Sequence, residues 1–74
     1  MTPSIGRIVH YVAGDLPWHR AAIITEVHEH GAAAAINAVS LAVFDPTGLV
    51  FTAHVPYEAS GLRVGTWHWP ERVE

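Results

Sequence analysis

The sequence predicts an all-β protein, a small five-stranded and partly open SH3-like barrel that forms a single domain over residues 1–74. Three observations favour this fold. Five runs of β-branched and aromatic residues alternate with short clusters rich in glycine, proline and aspartate. The chain has no cysteine, so disulfides and thiolate zinc sites are excluded as sources of stability. So short a chain without such crosslinks is typical of a well-packed barrel or a self-associating protein.

The first two strands are predicted at residues 6–12 and 21–28, where valine, isoleucine and aromatic residues dominate. Residues 14–17 contain glycine, aspartate and proline, which end the first strand and form a turn. Residues 29–31 end the second strand at a glycine. This part of the chain therefore predicts a first pair of strands.

The third and fourth strands are predicted at residues 36–44 and 49–55, as a hairpin around residues 45–48. A three-residue loop from Pro46 to Gly48, with Gly48 in a left-handed bulge, sets the register. That register pairs Asp45 with Leu49, Val43 with Phe51, Leu41 with Ala53, Val39 with Val55, Ala42 with Thr52 and Ser40 with His54. One face of the hairpin is then wholly apolar, and a shift by one residue would set Leu41 against Thr52.

The fifth strand is predicted at residues 64–69, after a loop at residues 58–63. One alternative concerns the alanine-rich stretch at residues 32–42, since alanine is the strongest helix former. The hairpin needs the same residues, and a helix this short is marginal on its own. We therefore expect residues 31–35 to form a loop that leads into the third strand.

Composition excludes some classes of function. Half of the residues are hydrophobic and only 15% are charged. We therefore expect part of the apolar surface to be covered by another copy of the chain, in a homo-oligomer, or by a protein partner. The net charge is −3 and the four basic residues are all arginine, so we expect no general nucleic-acid binding. No apolar run of about 18 residues and no secretory signal is visible, so we expect no membrane association.

Four segments resemble small uncharacterised proteins of actinobacterial phages, prophages and their hosts. These segments are TPSIGRIVHY at residues 2–11, RAAIIT at 20–25, DPTG at 45–48 and GTWHWPE at 65–71. The resemblance covers most of the chain and is most specific at the two ends. It implies a phage or prophage protein, found in the host cytoplasm or associated with the virion, and it supplies no catalytic residue.

A set of aromatic and arginine side chains is the candidate binding site. Aromatic faces stack on bases, and arginine forks bind phosphates. The candidate binding residues are Trp18, Arg20, Tyr57, Arg63, Trp67 and Trp69. The competing interpretation, favoured by the small size of the chain, is that Trp67 and Trp69 close the barrel core or a subunit interface.

The chain contains six histidines. His28 and His30 flank Glu29, and on a strand both imidazoles would lie on one face, where His54 or His10 could add a third metal ligand. Two histidines in this spacing are a weak pattern, so the sequence assigns no metal site and no cofactor.

No catalytic residue is predicted. Ser40 opposite His54 is the one serine–histidine pair that the hairpin brings together, and a cross-strand hydrogen bond explains it. The sequence therefore predicts a non-enzymatic phage or prophage protein that acts by self-association or by binding a phage or host protein. The alternative is a small-molecule binder that sequesters a nucleotide-like host signal. A histidine-dependent metalloenzyme ranks last.

Overall fold

Five antiparallel strands form one open sheet in the computed structural model, which describes residues 2–15, 18–28, 31 and 36–70. The strands are β1 (Ile8–Val12), β2 (His19–Val27), β3 (Val39–Asp45), β4 (Gly48–Val55) and β5 (Trp67–His68). Their order across the sheet is β4-β3-β2-β1-β5, so four strands form a meander and the fifth returns to pair with the first. The all-β, five-stranded and partly open SH3-like barrel is confirmed.

The strand boundaries differ from the predicted ones mainly at three places. Strand β3 begins at Val39 rather than at residue 36, so the prediction of strand at residues 36–38 is wrong. Strand β2 begins at His19, and β5 keeps only two residues of the predicted segment 64–69. Residues 39–42 belong to β3, so a helix is excluded there, while residues 16–17, 29–30 and 32–35 lie outside the described residues. Within the ranges that are described, no helix has the length and apolar character needed to cross a membrane.

The hydrophobic core packs against one face of the sheet, called the inner face below. Alternation along β3 sends Val39, Leu41 and Val43 to this face, where they are 0–2% exposed. The other members of the core cluster are Val9, Ala22, Ile24, Val55 and Trp67. The apolar hairpin face predicted for β3 is therefore confirmed.

The predicted register of the β3–β4 hairpin is wrong near the turn. Asp45 pairs with Gly48 rather than with Leu49, so the loop holds two residues, Pro46 and Thr47, and not three. Aspartate first, proline second and glycine fourth are the preferences of a type I turn, which needs no additional bulge residue. The bulge proposed at Gly48 is therefore not required to close the hairpin.

The shorter loop moves the following part of β4 by one residue. Leu41 faces Thr52, and Phe51 faces Ala42 rather than Val43. Phe51 consequently lies on the opposite, outer face of the sheet, with 73% of its surface exposed. The prediction that Phe51 packs over the core is wrong, because a one-residue shift reverses the face of every side chain.

A bulge then restores the predicted pairing of Val39 with Val55. Strand β4 carries one extra residue opposite Ser40, and His54 in this bulge has a positive φ of 55°. A second irregularity lies on the other side of β3, where β2 shifts register between Ile24 and Glu26. Both neighbours of β3 are thus bulged near the same point, which increases the local twist that curls the sheet.

The outer face carries an apolar row that crosses four strands. The register places Ile8 opposite Ile23, Ile23 opposite Ala42, and Ala42 opposite Phe51. Ile8 is 61% exposed, whereas Ile23 and Ala42 are half-buried, so this row is open to solvent mainly at its two ends. One face of the sheet builds the core, while the other carries exposed apolar side chains at the two ends of this row.

Candidate functional site

Strand β5 separates two groups of side chains that could carry function. Trp67 pairs with Tyr11 and is completely buried on the inner face. His68 pairs with His10 and points to the outer face, where it is 4% exposed. Since successive residues of a strand face opposite sides, one short strand contributes to an aromatic cluster and to a histidine cluster.

The aromatic cluster joins three of the predicted binding residues. The ring of Trp67 meets Tyr57 at a centroid distance of 4.8 Å and Trp69 at 5.2 Å, both edge to face. The guanidinium carbon of Arg7 lies 5.4 Å from the centre of the Trp69 ring, within the range of a cation–π contact. These contacts fix Trp69 in a half-buried position at the rim of the core.

A shallow pocket of about 200 Å³ opens beside these rings. Pro3 and Asn37 complete its lining with Tyr57, Trp67 and Trp69. The Trp67 indole N–H is already used, because it donates a hydrogen bond of 2.9 Å to the Asn37 carbonyl oxygen. The tryptophan pair thus closes the core, as the competing interpretation expected, while Tyr57 and Trp69 border the pocket.

The other three predicted binding residues lie elsewhere. Trp18 is 53% exposed and borders a separate cleft next to Leu62. Arg63 is exposed in the loop before β5, where its carbonyl oxygen accepts a hydrogen bond of 2.6 Å from the Thr66 hydroxyl. The six residues therefore do not form one continuous site.

Arg20 is engaged in ion pairs. Its guanidinium donates to Asp15 at 2.9 Å and to Asp45 at 3.3 Å, and only 10% of its side chain is exposed. Asp45 begins the β3–β4 turn and Asp15 lies in the β1–β2 connection, so Arg20 links two connections at the same end of the sheet. This arrangement gives Arg20 a structural role beside the pocket that Tyr11 and Asp45 help to line.

The histidine cluster is formed by His10, His19 and His68, from three different strands. One possible ligand nitrogen from each lies within 4.8 Å of the others. The His19 Nε2 atom lies 2.9 Å from the carbonyl oxygen of Gly61 in the loop that covers the cluster. Sequence reasoning missed this group, because no short spacing joins its members, although the high histidine content and the predicted β1 strand were visible.

A second polar cluster occupies the bulged end of the outer face. The Ser40 hydroxyl lies 3.2 Å from Glu26 Oε1 and 3.3 Å from His28 Nε2, while the His28 and His54 rings stack at 4.2 Å. His30, the other member of the predicted metal pair, lies outside the described residues. Ser40 therefore contacts His28, which directly follows strand β2, whereas the prediction placed Ser40 opposite His54.

This second cluster does not have the geometry of a hydrolase triad. A triad needs the acid on the imidazole nitrogen that is remote from the serine, so that it orients the base. Here Glu26 Oε1 contacts the serine and lies 3.9 Å from Nε2, the same nitrogen that faces the serine. The cluster is better explained as a hydrogen-bonded group that stabilises the bulges.

Comparisons with protein-family models, with curated proteins and with solved structures found no match. The resemblance to small phage proteins stays a prediction.

Proposed function

We propose that the protein is a non-enzymatic accessory or structural protein of a phage or prophage, and that it acts by self-association through strand β4. The observation that carries this proposal is three consecutive exposed apolar residues on β4. Leu49, Val50 and Phe51 are 53%, 47% and 73% exposed. Surfaces of this kind are usually covered by a partner.

The position of β4 strengthens the argument. Strand β4 is at one end of the sheet order, and among the described residues no strand pairs with its outer edge. Its eight residues include no aspartate, glutamate, lysine, arginine or proline, the residues that normally protect an edge strand from pairing with another chain. Backbone groups and apolar side chains are therefore presented together.

A second copy of the chain suits this edge. Two β4 strands can pair antiparallel across a twofold axis, which satisfies both edges with the same contacts. The apolar row from Ile8 to Phe51 adjoins the paired strands and enlarges the apolar area that association removes from water. A phage or host protein that adds a strand to the same edge would use identical chemistry.

The experiment is size-exclusion chromatography with light scattering on the purified full chain at micromolar concentration. We expect the wild type to be a dimer or larger assembly and the Phe51→Lys variant to be a monomer. Leu62→Lys is the matched control, because Leu62 is 85% exposed but lies outside the edge strand. A monomeric wild type, or equal effects of the two substitutions, would contradict the proposal.

The second candidate is a binder of a nucleotide-like ligand at the pocket beside Tyr57 and Trp69. The edge-to-face aromatic rings and the nearby Arg7 favour it. The pocket has a volume of about 200 Å³, whereas small-molecule pockets usually begin at roughly 300 Å³. This small volume ranks ligand binding second. A thermal-shift screen with mono- and cyclic nucleotides tests it, and unchanged melting temperatures throughout would count against it.

A further inference from the structure

The cluster of His10, His19 and His68 has the ligand composition of a transition-metal site. His10 and His68 are direct cross-strand partners, and His19 lies diagonally from His10 at the start of β2. Their three candidate ligand nitrogens fall within 4.8 Å of one another. Three imidazoles from neighbouring strands are thereby gathered before any ion is bound.

The ring orientations allow convergence. The His10 and His68 rings are inclined at 89°, those of His19 and His68 at 66°, and those of His10 and His19 at 45°. Imidazole lone pairs lie in the ring plane, so inclined rings can direct them to one point. The His28 and His54 rings are inclined at only 15° and stacked, which sends their lone pairs side by side.

The loop before β5 supports one ligand in the manner of a metal site. The Gly61 carbonyl oxygen can only accept, so His19 Nε2 donates in the 2.9 Å hydrogen bond. In the neutral ring, Nδ1 is then the nitrogen that holds the lone pair. Metal-binding histidines typically donate their second nitrogen to a backbone carbonyl or carboxylate in this way, which fixes the tautomer and the ring.

We propose that His10, His19 and His68 bind one divalent transition-metal ion of the zinc type. Imidazole nitrogen is a preferred ligand of zinc, and tetrahedral coordination at about 2.0–2.1 Å places ligand nitrogens about 3.3 Å apart. The candidate nitrogens lie within 4.8 Å of one another, so binding requires the half-buried His10 and the exposed His19 to rotate toward the buried His68. Exposure on the His19 side leaves a fourth position for water.

This site is independent of the proposed self-association, because its residues are on β1, β2 and β5 and not on β4. Bound metal would crosslink the three strands that the chain connects without disulfides. A ligand that binds only the folded state stabilises it, so the melting temperature should rise with the zinc concentration. The inference thus predicts both a stoichiometry and a stability change.

The test is isothermal titration calorimetry of tag-free protein with Zn²⁺, together with melting curves. We expect one ion per chain, a melting temperature raised by several degrees, and loss of both effects in His10→Gln and His19→Gln. The matched controls are His28→Gln and His54→Gln, which remove imidazoles from the other cluster and should bind as the wild type does. No Zn²⁺ binding by the wild type, or loss of binding only in the controls, would overturn the site.

A second measurement needs no substitution. Long-range proton–nitrogen NMR of the wild type reports which imidazole nitrogens shift when Zn²⁺ is added. We expect large shifts at His10, His19 and His68, and none at His28 or His54. Shifts confined to any other histidines would contradict the assignment even where a variant fails to fold.

Discussion

The Trp67 indole N–H donates a 2.9 Å hydrogen bond to the carbonyl oxygen of Asn37, thirty positions away along the chain. This bond connects the last strand of the sheet with the segment that leads into β3. A tryptophan here fills the core and also satisfies a backbone carbonyl that would otherwise lose its partner.

Replacing Trp67 with phenylalanine removes that donor and leaves a cavity. We expect a loss of about 1–3 kcal/mol in the free energy of unfolding, from the unsatisfied carbonyl and the lost packing together. Urea unfolding followed by circular dichroism measures it. Trp69→Phe is the control, because Trp69 is only partly buried and its replacement should lower the free energy of unfolding less. Equal decreases for the two variants would contradict a central role of Trp67 in the core.

Gly61 lies against the histidine cluster, where an added Cβ would come within 3.2 Å of His68 Cε1. Its φ of +69° is also costly for other residues. We expect Gly61→Ala to lower the free energy of unfolding by about 1–2 kcal/mol from the backbone alone, and by more once the contact is included. Thermal and urea unfolding provide the measurement.

Gly6 is the matched control for that contact. Its φ is +91°, yet nothing lies within 4 Å of a Cβ built there. Gly6→Ala therefore reports the backbone cost without the collision. If Gly61→Ala lowers the free energy of unfolding no more than Gly6→Ala does, the loop at Gly61 can move away from His68 at little cost.

His54 occupies the bulge of β4 with a φ of 55°. Histidine and asparagine tolerate this conformation, whereas a β-branched residue does not. We expect His54→Val to cost about 1–2 kcal/mol of stability, while His54→Asn stays within about 0.5 kcal/mol of the wild type. Comparable unfolding curves for the two variants would mean that the bulge relaxes on substitution.

Arg20 forms two ion pairs that differ in exposure to solvent, one with Asp45 and one with Asp15. The Asp45 side chain is 25% exposed and that of Asp15 is 80% exposed, although the Asp15 contact is shorter. We expect Asp45→Asn to cost about 0.5–1.5 kcal/mol and Asp15→Asn at most about 0.5 kcal/mol, because solvent screens the exposed pair. Asparagine suits the first turn position as well as aspartate does, so the turn itself is preserved.

The measurement is urea unfolding at low and at high salt. Added salt should reduce the difference between the wild type and Asp45→Asn less than it reduces any difference for Asp15→Asn. A larger salt effect for Asp45→Asn than for Asp15→Asn would contradict this assignment of the shielded and the exposed ion pair.

The fold class was predictable because apolar runs and turn residues alternate along the chain. The β3 face followed from period-two alternation through Val39, Leu41 and Val43. The placement of Phe51 was not predictable, because the choice between two- and three-residue loops depends on local turn energies of similar size. The bulge at His54 then compensates for the shift, and nothing in the residues around it indicates an insertion.

The candidate sites were likewise predictable only in part from the sequence. The size and spacing of the tryptophan pair favoured a place in the core, and Trp67 lies there. The grouping of His10, His19 and His68 depends on β1 pairing with both β2 and β5, which a sequence pattern cannot establish. Strand order decides which residues are neighbours in a sheet, whereas a sequence motif describes only spacing along the chain.

Strand β5 has only two residues, which pair with β1 and face opposite sides of the sheet, and Gly65 and Thr66 just before it also bond to Val12 of β1. A local opening of this segment would release Trp67 from the aromatic pocket and withdraw His68 from the histidine cluster in a single event. An ion bound on one side would suppress that opening, and so would a molecule resting on the other. Binding on one face should then favour binding on the other, because both sites depend on the same short strand.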